Sequence, residues 1–457
     1  MTGSKEPKAG MSARDKWTLV VLVLVSIFLM ADQNAMNPVV REIMAEYGID
    51  ESKVGMVGSA FIILGALVSI FFGYFSDRFP RKQLFAFSVL LGEIPCFLTG
   101  IPAFTRTYAH LLFLRVFTGL GVGGIFPITF SLVGDYFDEE HRGAVNAIIT
   151  ASWGVGEMLG QVLAGFLAGP LGWRFPFIVA AVPNFLLVPV FLAVAREPKR
   201  GAKEAELADL VERGFEYRET IKARDLVAIM RNKTNLIGFI QGIPGSIPWG
   251  LIPFFLVPFY ENKGFSKEFA TTLTLVLGIG ATAGGLLGGW AGDRLYRKSP
   301  RLVPLLCAVA VAAGIIPGHL LMTMRLSPNL GGSAWVYPIV FCVVTGVIVT
   351  IPSANIKAML LNVNPPEHRG SVFGIHNITD SVGRGIGPAI GGLLIASRGY
   401  LYAMLFSVYM WVPCAILYAA MALTIGKDLE KLRSHLRTKR AEMLEREGRG
   451  HEAIHAS

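Results

Sequence analysis

The fold class the sequence predicts is an all-α membrane protein, with twelve transmembrane helices in two pseudo-symmetric six-helix bundles. Three observations predict it: scarce charge, long apolar runs, and a set of loop signals that occurs twice. Of 457 residues, 16% are charged and 53% hydrophobic, and the mean hydropathy is +0.52. A soluble domain commits about a quarter of its residues to charge in order to cover its surface. This chain has no such coat. Trp17–Met30, Phe61–Phe72, Phe177–Val194 and Leu302–Ile316 carry no charge at all. With their neighbours they reach the roughly 20 residues that cross about 30 Å of hydrocarbon.

The expected spans are 17–37, 54–76, 83–103, 108–134, 143–168, 174–194, 236–260, 269–292, 302–324, 334–360, 370–396 and 400–424. They divide the chain into an N-terminal bundle (1–195), a polar linker (196–233), a C-terminal bundle (234–424) and a tail (425–457). The linker alternates its charges (Lys203, Glu204, Glu206, Asp209, Glu212, Arg213), as a surface helix does. In the tail, Leu429, Leu432, Leu436 and Met443 form a narrow apolar stripe, which predicts a helix on the membrane surface. The apolar N-terminal stretch has no small-residue cleavage site after it and reads as a retained first span.

Basic residues set the orientation. The connections on the side of both termini hold 31 Lys and Arg, the opposite connections hold 8, and 3 lie within spans. Positive charge accumulates on the cytoplasmic side, so both termini are expected in the cytoplasm of a multi-pass protein of the cell inner membrane. The net charge of +9 follows this topology rather than a basic groove, and no nucleic-acid partner is expected. Cys96, Cys307, Cys342 and Cys414 lie in apolar segments without ligand spacing. No P-loop, metal-ligating cluster or nucleophile–base pair is present in the sequence pattern, so no cofactor, metal or enzymatic activity is expected.

Two loops repeat. After span 2 the chain reads Gly73-Tyr-Phe-Ser-Asp77-Arg78-Phe-Pro-Arg81-Lys82, and after span 8 it reads Gly289-Trp-Ala-Gly-Asp293-Arg294-Leu-Tyr-Arg297-Lys298. After spans 4 and 10, Glu140-His141-Arg142-Gly143 matches Glu367-His368-Arg369-Gly370. The register continues: Gly156, Gly160 and Gly165 align with Gly383, Gly387 and Gly392. Duplicated membrane halves joined by a polar linker form a transporter architecture, with the substrate site between the repeats near mid-bilayer.

The doubled G-x-x-x-D-R-x-x-R-[KR] loop resembles the signature loop of the major facilitator superfamily, and the likeness covers essentially the whole chain. Physically it is a latch. Gly73 is expected to let helices approach closely, and Asp77, at a helix end, to pair with Arg81 or cap a neighbouring helix. The resemblance implies that such contacts, made by Gly73, Asp77, Arg78, Arg81, Asp293, Arg294 and Arg297, hold the outward-facing state and break when the cytoplasmic side opens. It also implies a monomer.

Ionisable residues inside a span are costly and usually functional. Here they are Asp32, Glu93, Arg115, Glu157, Asp380 and Arg384. Counting 1.5 Å per residue puts Asp32 roughly 22 Å, and Arg115 roughly 19 Å, above the inner face, so the two lie at similar depth. The stretch Leu111–Gly121 resembles the family's fourth-span motif, whose Arg is associated with proton coupling. Asp32 is therefore expected to take the proton and Arg115 to tune it; a static ion pair is the alternative. Glu157 and Arg384 occupy equivalent repeat positions and are candidates for contacting substrate or for pairing within their own halves. Asp380, one turn from Arg384, is expected to be within its reach. Trp249, Phe126 and Trp153 are candidate cavity aromatics, with core packing as the alternative. Glu93 is expected to be structural.

The segment from Asp32 through Asn37-Pro38 to Asp50 resembles the start of spinster-like transporters, which carry lysophospholipids and sphingolipids, as does Gln241–Gly250. Where that group has Arg after the first-span Asp this chain has Gln33, and where it has a fourth-span Glu this chain has Val122. The expected function is secondary transport by alternating access, coupled to protons. The expected substrate is a small molecule or lipid-like amphiphile taken from among the surrounding membrane lipids. A drug antiporter and an organic-anion/proton symporter are the alternatives.

Overall fold

The computed structural model describes residues 13–76, 78–137, 139–197, 227, 229–324, 335–365 and 368–455. Asp77 and most of the 196–233 linker, with its expected surface helix, lie outside these. The described chain is helical throughout: α1 (Ala13–Ala35), α2 (Val40–Tyr47), α3 (Glu51–Ser76), α4 (Arg81–Thr99), α5 (Tyr108–Tyr136), α6 (Glu139–Leu171) and α7 (Phe175–Val194), then α8 (Lys233–Asn262), α9 (Lys267–Lys298), α10 (Leu302–Thr323), α11 (Val336–Thr350), α12 (Pro352–Asn362), α13 (Arg369–Arg398), α14 (Tyr400–Tyr409) and α15 (Trp411–His455). Among the described residues, eleven helical stretches are long and apolar enough to cross a membrane. The remaining long helix, α13, carries Asp380 and Arg384 and is less apolar. The fold is thus the expected all-α membrane fold.

Local chemistry explains the boundaries. Thr107, Asn232 and Ser266 cap α5, α8 and α9 through side-chain oxygens that accept from His110, Asn235 and Phe269 amides. Gly48, at φ 60°, ends α2 in a left-handed turn that a side chain would strain. Spans 1, 10 and 12 are not single helices, the last being interrupted at Met410 between α14 and α15. Span 1 ends at Ala35 and continues as a short turn, Asn37–Val39, into α2, because Pro38 has no amide to donate. Span 10 is divided at Pro352 for the same reason. The tail is no separate element: α15 runs unbroken from the last span to His455. Its Asp428 is buried and accepts from the Thr234 amide (2.9 Å) and hydroxyl (2.7 Å), tying the tail's first turns to the start of α8.

Glycine positions set the helix spacing. A Cβ on Gly156 or Gly160 would fall 2.3 Å from the Ile27 carbonyl oxygen and 2.0 Å from that of Ala31, on α1. A Cβ on Gly383 or Gly387 would fall 2.4 Å from the Ile243 oxygen and 2.7 Å from that of Ile247, on α8. The next pair crosses between halves: Gly165 abuts Thr271 of α9, and Gly392 abuts the Glu51 backbone of α3. Equivalent glycines therefore make equivalent contacts, as a twofold relation between halves requires. Gly73 does not serve the close approach expected of it, since its Cβ would meet only Pro127 at 3.8 Å. That approach lies two turns earlier, where a Cβ on Gly123 would sit 2.0 Å from the Gly65 oxygen.

Cross-half contacts gather at the face opposite the one where α1 begins. There α3 packs on α13 and α6 on α9. Ser59 Oγ accepts from the Ala389 amide at 2.8 Å, Tyr400 donates to Glu51 at 3.0 Å, and Lys267 pairs with Glu42. At the face where α1 begins, no cross-half hydrogen bond or ion pair is formed among the described residues. Among the described residues, the contacts between the halves are concentrated at one face. Placing Val at position 123 is expected to lower thermal stability by about 3 kcal/mol or prevent folding, whereas Gly73→Ala changes it by less than about 0.5 kcal/mol; thermal unfolding of the detergent-solubilised variants measures both.

Candidate functional site

The site begins with a buried ion pair. Arg115, on α5, donates through Nη1 to Asp32 Oδ1 on α1 at 2.8 Å, with the Asp32 side chain 0% and the Arg115 side chain 2% exposed. Arg115 Nη2 donates to Thr99 Oγ1 at 3.3 Å, and the guanidinium lies 4.8 Å from the centre of the Phe177 ring. Asp32 Oδ2 and Arg115 Nε have no hydrogen-bond partner. Glu93, also fully buried, is held by Asn184 Nδ2 at 2.5 Å, while its Oε2 is unpartnered. Two buried carboxyls thus share the surroundings of one guanidinium.

Arg115 also lines a pocket between the halves, together with Gln33, Asn34, Asn37, Trp249 and Arg384. Its free interior is about 30 Å³, enough for a water or two. The break after α1 shapes its polar wall: Asn37 Nδ2 donates to Asn34 Oδ1 at 3.1 Å across the turn that Pro38 imposes. On the other wall, α8 contains Pro244, Pro248, Pro253 and Pro258, and Trp249 sits between the second and third.

A second ion pair spans the halves. Arg384 Nη2, on α13, donates to Glu157 Oε1, on α6, at 3.1 Å, with both side chains 33% exposed. The two do not pair within their own halves; they pair with each other. Asp380 is not the partner expected for Arg384, because its carboxylate accepts from Ser246 on α8. Phe126 and Trp153 stack edge-to-face at 4.6 Å, apart from the pocket, and Phe130 joins them. Of the expected residues, the structure brings Arg115, Arg384 and Trp249 to one pocket, with Asp32 and Glu157 directly behind their arginines.

The loop residues sit at the face where α1 begins. Asp77 lies outside the described residues. Arg81 is buried and pairs with Glu197 at 3.3 Å. Glu197 also accepts from the Arg81 and Lys82 amides, each at 2.9 Å, capping α4. Arg78, Asp293, Arg294 and Arg297 are exposed, and Arg294 stacks over Trp290 at 3.8 Å. Sequence reasoning missed Glu197, whose cap lies more than a hundred residues from it, and the polar trio Gln33, Asn34 and Asn37. The trio carried a signal: three amides beside an intramembrane Asp.

Residues 22–359 match the model of the Major Facilitator Superfamily, and the chain belongs to that family. It is 26% identical over 416 residues to the probable galactarate/D-glucarate transporter of Bacillus subtilis (strain 168), covering 86% of this chain and 88% of that one. It is 24% identical over 425 residues to a gentisate transporter of Corynebacterium glutamicum, with 92% and 90% covered. Its fold is similar to that of a bacterial homologue of the human lysosomal transporter Spinster in an inward-facing, unoccupied conformation, with a TM-score of 0.79 at 18% identity over 92% of this chain and 99% of that one.

Removing one member of a buried ion pair leaves a charge uncompensated and costs about 3–5 kcal/mol. Arg115→Gln is expected to destabilise by that amount, and Asp32→Asn added to it to restore much of the loss, because no unpaired charge then remains between these positions. A double-mutant cycle of unfolding free energies reads the difference.

Proposed function

We propose that this protein is a proton-coupled transporter of small organic anions, working by alternating access with the face where α1 begins toward the cytoplasm. The observation that carries the reading is a pocket at the meeting of the halves that presents two arginines, Arg115 and Arg384, each backed by one carboxylate. Guanidinium groups grip carboxylates with a planar fork, and the pocket's amides can take hydroxyl or carboxyl oxygens. Relatives named for galactarate, D-glucarate and gentisate, all organic acids, support that substrate class.

The coupling follows from charge. With Asp32 ionised, Arg115 is neutralised from behind and offers little to an anion. Adding a proton to the unpartnered Oδ2 frees the positive charge toward the pocket. An anion then binds more tightly when Asp32 is protonated, and by reciprocity the anion raises the affinity for the proton. Both ligands load together, which is symport. Arg115 is the tuning partner and Asp32 the proton carrier. The halves then rock about the glycine contacts to move the pocket from one face to the other.

A one-unit pH gradient carries about 1.4 kcal/mol per proton, enough for about tenfold accumulation of a monoanion. In proteoliposomes with acid outside, galactarate or gentisate is expected to accumulate, and Asp32→Asn is expected to lower the plateau at least to simple equilibration while exchange persists. An Asp32→Asn protein that accumulates anion like the wild type contradicts the coupling. Uptake of a lysophospholipid in place of both acids contradicts the substrate class and favours the amphiphile expected from the spinster resemblance.

A further inference from the structure

The two arginines at the pocket are not equally available. The Asp32–Arg115 pair is sealed from solvent, while both partners of the Glu157–Arg384 pair are one-third exposed. The contact is also minimal. Arg384 makes one hydrogen bond, from Nη2 to a single carboxylate oxygen at 3.1 Å, and no other protein hydrogen bond to its side chain forms among the described residues. A guanidinium can satisfy a carboxylate through two parallel bonds, so an end-on contact leaves most of its capacity unused.

Among the described residues, Glu157 is the carboxylate that pairs with Arg384. Asp380, one turn before Arg384, accepts from Ser246 through one oxygen and makes no ion pair with the guanidinium. Asp32 is committed to Arg115. Gly250 brings the α8 backbone against the backbone of Arg384, where a Cβ would fall 1.8 Å from the carbonyl oxygen, so the helix bearing the arginine is held firmly while its side chain extends into the pocket.

We propose that Glu157 is a resident stand-in for the substrate's carboxylate, and that the transported anion binds Arg384 by displacing it. This deepens the organic-anion reading and rests on it. Arg384 is the specificity-determining anchor; Glu157 is a positioning residue that holds it ready. Exchanging one carboxylate for another on the same guanidinium keeps the cation compensated throughout. The released Glu157, already one-third exposed, can turn to solvent. The same exchange cuts the ion pair that ties the halves together at mid-depth, so occupancy and the mobility of the halves change in one event. A neutral amphiphile cannot make the exchange, since it leaves Arg384 and Glu157 paired.

Calorimetric titration of purified protein with galactarate and with gentisate tests this. Relative to wild type, Glu157→Gln is expected to bind at least one of these acids about tenfold more tightly, because the internal competitor has lost its charge. Arg384→Gln is expected to bind it at least tenfold more weakly, and adding Glu157→Gln to Arg384→Gln to give no gain. Wild-type binding with an unchanged or weaker affinity in a folded Glu157→Gln variant overturns the stand-in role alone. So does a gain that persists without Arg384. Wild type that binds neither acid but binds lysophospholipid overturns the organic-anion reading, and the stand-in role with it.

Discussion

A guanidinium cannot remain charged in a low-dielectric interior without a counter-charge, and the cost of burying the two together is met only by close, well-aligned contact. Arg115 and Asp32 obey that constraint at 2.8 Å, almost wholly out of solvent. Much of the N-terminal half is arranged to permit it. Thr99 and the face of Phe177 occupy other sides of the guanidinium. Glu93 is turned to Asn184 rather than to the arginine. Yet the compensation is incomplete, since one oxygen of Asp32, one of Glu93 and Nε of Arg115 are left without partners. Two carboxyls and one cation in a dry region are the groups on which the proposed proton coupling rests.

Rigid halves complement this charge. Each half is knitted by helices that approach to backbone contact at glycines, Gly65 with Gly123 and Gly160 with Ala31 in one, Gly250 with Arg384 and Gly387 with Ile247 in the other. Such contacts tolerate little deformation within each half. The boundary between halves combines glycine-backed packing of α3 on α13, a few polar contacts beside it, and the Glu157–Arg384 pair at mid-depth.

Much of this could be read before the structure. The helical rise alone put Asp32 and Arg115 at one depth, and charge is so rare in membrane spans that each instance could be weighed individually. The glycine register of Gly156, Gly160 and Gly165 against Gly383, Gly387 and Gly392 foretold the matching contacts. The pairing of Glu157 with Arg384 was present in that register and overlooked. Positions equivalent under a twofold relation, and close to its axis, meet across the axis instead of within their own halves. Other features left no local trace. Glu197 caps a helix that starts 116 residues earlier, and Asp428 caps one 194 residues away. Gly73, conspicuous in its motif, contacts little, while the inconspicuous Gly65 and Gly123 carry the helix crossing. Motif position reports on a loop; packing density depends on which faces happen to meet.

If loading the pocket depends on a proton arriving at Asp32, that proton must be seen to move without any membrane or gradient present. The direct measurement is proton uptake by detergent-solubilised protein in weak buffer, followed with a pH indicator as saturating galactarate or gentisate is added. The account requires a transient alkalinisation in the wild-type protein and its loss when Asp32 is replaced by Asn. Anion binding with no proton taken up, or with the same uptake in both proteins, would contradict it.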